Sequence, residues 1–182
     1  MAKDKYSDDY KLVHTVDDKG RQRTHAEYNG DYYAVSLEEY ELRQLKRNSL
    51  LLLVVLVALH VAAGFLNNQG MYQFYIALPY AAGFFPLFFL AESIFRLPVE
   101  KRAYKREEVE QSFVRVKSTG KTLLLFLAVV LVGEALYFVF GAAPENRILE
   151  AGFFFAEAFA AGFLYFLTRI QNPIEIEILD KN

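Results

Sequence analysis

The chain of 182 residues has room for one domain, or for one membrane bundle with a small soluble appendage. Its hydrophobic content of 54% exceeds the roughly 45–50% of soluble domains, and too few polar residues remain to cover a core of that size in water. The net charge of −2 carries no reading of its own, and the absence of cysteine excludes disulfides, thiolate catalysis and thiolate metal sites.

Residues 1–35 predict a small cytoplasmic β-element, with a meander over 10–35. Lys11–Val16 is followed by the turn-forming cluster D17-D-K-G20, and Arg21–Tyr28 reads as the return strand. Asn29-Gly30 predicts a two-residue hairpin turn, because both residues tolerate the positive φ of type I′, and Tyr32–Val35 supplies a third strand. Ser36 is placed to cap a helix of about 37–47, with Glu39 reaching back to close the capping box. Residues 36–48 thus form a cytoplasmic or interfacial helix that leads directly into the first span.

Charge then disappears. There is none from Asn48 to Ala91; Glu134 is the single charge from Thr122 to Pro144, and Glu157 the single one from Ala151 to Thr168. A transmembrane helix needs about 20 mostly apolar residues, and the sequence supplies four such spans, near 49–66, 72–95, 122–142 and 149–168. The first apolar run begins only at residue 49, which is not the layout of a cleavable signal peptide. The fold class is therefore an all-α membrane protein, a four-transmembrane-helix bundle of two antiparallel hairpins carrying a small cytoplasmic β-meander.

Lys and Arg crowd the segment before span one, the loop 96–121 between spans two and three, and Arg169 after span four. The connections N67-N-Q-G70 and A143-P-E-N-R-I148 hold only Arg147. The positive-inside rule then places both termini and the central loop in the cytoplasm and the bundle in the plasma (inner) membrane. The hairpins also resemble each other: S49-L-L-L-L-V-V-L-V-A-L-H60 parallels T122-L-L-L-F-L-A-V-V-L-V-G133, either by duplication or by convergence on apolar composition.

The central loop from Glu100 to Lys117 predicts a part-helical, highly charged segment with Tyr104, Val109, Phe113 and Val116 on one side. It suits either an interfacial helix beside anionic headgroups or a dock for another cytoplasmic protein. R115-V-K-S-T-G-K-T122 imitates the end of a phosphate-binding loop. Arg115 occupies the first glycine position and no buried strand precedes it, so no nucleotide and no nucleic acid is expected as a partner. At the other end, residues 169–182 form a cytoplasmic tail in which I174-E-I-E-I178 alternates as a strand. It suits either addition to the meander or an offer to a partner.

Ionisable residues inside a membrane are costly and face the bundle interior by default. Counting at about 1.5 Å per residue from the expected span edges puts His60, Glu134 and Glu157 each roughly 18 Å above the cytoplasmic edge, with Tyr80 at the equivalent depth of span two. Such a layer can share a proton between carboxylates and imidazole, hold a cation, or merely bond across helices as polar glue. Glu92 reads as an ordinary partner of Arg96 four residues on, and Glu150 as an ordinary acid at a helix N-terminus.

The expected function is binding or translocation of a cation or proton by a His60/Glu134/Glu157 layer, with Tyr80 as hydrogen-bond partner. The alternative is a non-catalytic accessory or scaffold subunit. No cofactor is implied, no catalytic motif favours an enzyme, and the partners are the bilayer and either further copies of the chain or a larger membrane complex.

Overall fold

A computed structural model describes residues 5–16, 22–141 and 146–179. The D17-D-K-G20 turn lies outside these residues. In chain order the elements are β1 (Tyr10–Val16), β2 (Gln22–Tyr28), β3 (Tyr32–Val35), α1 (Glu39–Gly64), α2 (Phe74–Phe95), β4 (Tyr104–Lys105), α3 (Arg106–Phe140), α4 (Arg147–Gln171) and β5 (Ile176–Leu179). Four helices are long and apolar enough to cross a membrane. Only 28% of the apolar window of α1 and 33% of each of the others is buried, so much of their apolar surface is left uncovered by the rest of the chain.

The helix expected over 36–48 to lead directly into the first span is the start of α1, which begins at Glu39 and runs unbroken into the apolar stretch. Its first turn is not capped by Ser36. The Glu38 backbone N–H donates to Glu41 at 2.8 Å, while the Ser36 hydroxyl accepts from the Glu175 backbone N–H at 3.3 Å. Likewise α3 begins at Arg106, well before residue 122. The charged loop is thus largely the first four turns of α3, with one turn of wider π geometry at Glu110–Val114. Tyr104, Val109, Phe113 and Val116 are all buried there. Because residues 115–122 are continuous helix, no phosphate-cradling loop exists, and Gly120 serves close packing: a Cβ would meet the Thr168 methyl at 2.7 Å.

The meander is replaced by two small sheets. β1 and β2 form an isolated antiparallel hairpin, Tyr10 opposite Tyr28. β3 turns away from it and becomes the centre of a second antiparallel sheet, in the order β4-β3-β5. Asn29-Gly30 is therefore no hairpin turn, and Gly30 lacks the positive φ that a type I′ turn demands. Both of its backbone N–H groups, on Asn29 and Gly30, donate instead to the Asp9 carbonyl. The C-terminal strand pairs with β3, Val35 opposite Ile176, so it is used inside the chain. Tyrosines tie the hairpin down: Tyr10 donates to Glu107 at 3.1 Å, and the Tyr28 hydroxyl accepts from the Arg106 N–H at 3.0 Å. Burial pushes the Tyr28 phenol above its ordinary value.

In the bundle α2 packs along α3 and α1 along α4, with α3 and α4 also in contact; α1 and α2 share a shorter seam. Two lysines finish the helices at the sheet end. Lys46 of α1 donates to the Phe95 and Leu97 carbonyls at 2.9 and 2.8 Å, and Lys117 of α3 to the Ile174 carbonyl at 3.1 Å. Each answers carbonyls left without partners at the end of a neighbouring helix. Below the sheet, Leu42, Leu90, Ile94, Phe113 and Val116 form one continuous core with the leucines of the mid-bundle.

Phe113, fully buried, should cost about 3–5 kcal/mol when cut to alanine. Val114 beside it is 46% exposed, and Val114→Ala should stay within about 0.5 kcal/mol. Unfolding of both variants in detergent, followed by circular dichroism, checks the difference.

Candidate functional site

The buried side chains of α4 are Glu150, Phe153, Glu157, Ala160, Leu164, Leu167 and Gln171, in alternating steps of three and four that keep one face turned inward. Two carboxylates seven residues apart therefore share that face, roughly 10 Å apart along the axis. Each meets a different set of partners.

Glu157, fully buried, meets His60 of α1, which is 1% exposed. The His60 Nδ1 lies 3.0 and 3.1 Å from the two carboxylate oxygens, a spacing that suits an Nδ1–H donated to an ionised carboxylate, and Nε2 faces elsewhere. Nε2 is buried and has no hydrogen-bond partner among the described residues. It points toward Gly83 of α2, where a Cβ would lie 3.6 Å away. The Tyr80 and Phe84 rings stand 4.5 and 4.6 Å from the imidazole, centroid to centroid. Tyr80 donates its hydroxyl to the His60 carbonyl at 2.7 Å, and Gly64 one turn on leaves the space, since a Cβ there would overlap the phenol oxygen. His60, Tyr80 and Glu157 are thus brought together as the depth count suggested.

Glu134 is not part of that group. Counted from the ends of α3 and α4 that the 141–146 connection joins, Glu134 lies six residues in and Glu157 ten, a difference of about one turn, or roughly 6 Å. Glu134 faces the 65–73 connection: a Cβ on Gly70 would overlap its Oε2. Glu150, expected to be an ordinary helix-terminal acid, is 1% exposed and meets the same connection. It accepts the backbone N–H groups of Gln69 and Gly70, the latter at 3.3 Å, and the Asn68 amide at 3.2 Å. The α1–α2 hairpin is the shorter one, so its connection lies against the flank of α3 and α4 below their tips. His60 is four residues from the end of α1, whereas its partner Glu157 is ten from the start of α4.

The buried polar groups nearer the short-connection end thus form two patches, Glu134, Glu150 and Asn68 beneath the 65–73 connection and, beyond Phe153 on α4, His60–Glu157 deeper in. From there to Gln171, which donates to Ser49 at 3.0 Å, α4 turns only Ala160, Leu164 and Leu167 inward, packed with Leu53, Leu56, Leu123 and Leu127. Among the described residues no three His, Asp or Glu side chains converge as metal ligands would.

Fold and site together define a four-helix bundle with a histidine–carboxylate pair sealed at its centre and an acidic pair beneath one connection. Compared with protein-family models, with curated proteins and with solved structures, the chain shows no match.

Hydrogen bonds to a charged group contribute about 1.5–3 kcal/mol. Glu150→Gln should therefore speed hydrogen exchange at the amides of 68–72 by roughly ten-fold or more. Arg147→Gln, exposed on the same helix, should leave it unchanged.

Proposed function

We propose that the protein spans a membrane through α1–α4 and binds a proton in its interior on the His60–Glu157 pair. The observation that carries this reading is the imidazole whose Nδ1 is committed to Glu157 while Nε2, a basic nitrogen, is buried without a partner. With a neutral ring the pair holds one uncompensated negative charge in a low-dielectric interior. A proton on Nε2 turns it into an imidazolium–carboxylate pair of no net charge, and an isolated buried charge is far costlier than a paired one. The Tyr80 and Phe84 rings offer π faces that favour an imidazolium.

The proton exchanges with the short-connection end, where the nearer polar patch lies, and Phe153 and its apolar neighbours must part for it to reach the pair. The leucine layer beyond the pair closes the way to the sheet end. Passage right across needs that layer to part, in one chain or in an oligomer, so the reading is proton binding with exchange from one side. The sheet end, flanked by Lys46, Lys101, Arg102, Arg106 and Lys117, is the cytoplasmic end of a plasma (inner) membrane protein by the positive-inside rule.

The test is proton uptake by purified protein in lipid vesicles after a step to acidic pH. Uptake should fall by about one proton per chain in His60→Gln and in Glu157→Gln, with both variants folded. Undiminished uptake in His60→Gln would sink the proposal.

The rival reading, an accessory subunit, draws on a different feature, the β1–β2 hairpin. Its described side chains are largely exposed, and among the described residues each strand leaves one edge unpaired, the arrangement used for strand addition by a partner. If it is the dock, deleting residues 10–28 should release a partner that co-purifies in mild detergent. Recovery of the intact protein with no partner at all counts against it.

A further inference from the structure

We propose that Glu134 and Glu150 form a second proton-binding site, a carboxylic acid–carboxylate pair roofed by the 65–73 connection and separate from His60–Glu157. Glu134 is fully buried, and neither of its oxygens has a hydrogen-bond partner among the described residues. Asn68 Oδ1, on a side chain 2% exposed, is also unpartnered at the same place. Gly70 joins the two carboxylates: a Cβ there would overlap Glu134 Oε2, and its N–H donates to Glu150 at 3.3 Å. From α2, Tyr75 and Ile76 pack at Gly133 beside it, and on its own helix Tyr137 turns its hydroxyl to Gln69 at 3.4 Å. No Lys, Arg or His pairs with either carboxylate among the described residues, so two ionised groups here would be uncompensated.

The donors decide where the proton sits. Glu150 already accepts N–H groups from Gln69, Gly70 and Asn68, which engage its lone pairs. Glu134 receives none and is the acid. On protonation the Glu134 carboxylate gains one O–H bond, and that hydrogen is donated to a remaining lone pair of Glu150. The pair then carries one negative charge, already answered by the connection's amides. A metal ion fits less well: a hard cation such as calcium takes six to eight oxygens. Here the oxygens are those of two carboxylates and one amide, Glu150 is already engaged, and Gly70 packs against Glu134 with no room for a methyl group. Ala63, Ile76, Tyr80, Val130 and Phe153 form an apolar cluster that separates this pair from the histidine below.

Loss of the Glu134 proton sets two negative charges against each other under the connection that Glu150 holds. The second site thereby bears on how firmly the connection is held. It does not rest on His60–Glu157 binding a proton, and the experiment keeps the two apart. Infrared spectra of the protein in lipid at neutral pH should show the carbonyl stretch of a protonated carboxyl, sensitive to D2O. That band should vanish in Glu134→Gln and persist in Glu157→Gln. Absence of the band in the native chain, or its survival in Glu134→Gln, overturns the proposal. So does its loss on adding calcium or sodium, which would give the site to a cation. Should Glu134→Gln fail to fold, Glu150→Gln serves instead: it removes the carboxylate acceptor, the band should shift in frequency, and an unshifted band is contrary.

Discussion

Two carboxylates on one inward face of α4, seven residues apart, set terms that the rest of the bundle has to meet. Neither can be left bare in an interior otherwise made of Leu, Phe, Val and Ala, because an unpaired buried charge costs several kcal/mol. Glu157 is answered by the imidazole of α1. Glu150 is answered by the backbone of the α1–α2 connection, which is drawn down onto the flank of the longer α3–α4 hairpin. The first interaction fixes α1 against α4 at mid-depth and the second fixes the entrance above it. Gly64 and Gly70 are each needed at one of these two contacts, where a Cβ would overlap Tyr80 or Glu134.

The opposite end of the molecule is organised by different physics. There the chain emerges from the apolar region, and helix ends, strands and lysines complete one another's backbone hydrogen bonds. β3 receives the segment between α2 and α3 on one side and the C-terminal strand on the other. Lys46 and Lys117 close the carbonyl ends of α2 and of the stretch after α4. All the segments that leave the bundle at this end are thus tied to each other. Together with the leucine layer, they close the interior on the side of the sheet, where the buried Gln171 amide bonds to Ser49.

Much of this was legible in the sequence, and the failures have physical causes. The four apolar helices were read from the absence of charge, which no side-chain detail can alter. Depth along a helix was readable too, and it brought His60, Tyr80 and Glu157 together. Depth says nothing about which way a residue faces, however, and an error of one turn sufficed to place Glu134 in the wrong company. The spacing of Glu150 and Glu157 by seven residues was the available signal for a shared face. The ordinary place of an acid at a helix N-terminus masks that signal. Ser36 and Asn29-Gly30 failed for another reason. Their local signals for a helix cap and a tight turn were overridden by the pairing of β3 with β4 and β5, strands distant in sequence, one following α2 and the other following α4.

The central claim is that His60 holds its Nδ1 proton for Glu157 and keeps Nε2 free to take another. Nitrogen-15 NMR of histidine-labelled protein in lipid tests it most directly. His14 and His25 lie on the exposed hairpin, so they can be removed by substitution to leave one signal. The account predicts that Nδ1 stays protonated throughout, while Nε2 passes from bare to protonated as the pH is lowered. A ring protonated on Nε2 alone, or an Nε2 that stays bare down to acidic pH in folded protein, would contradict it.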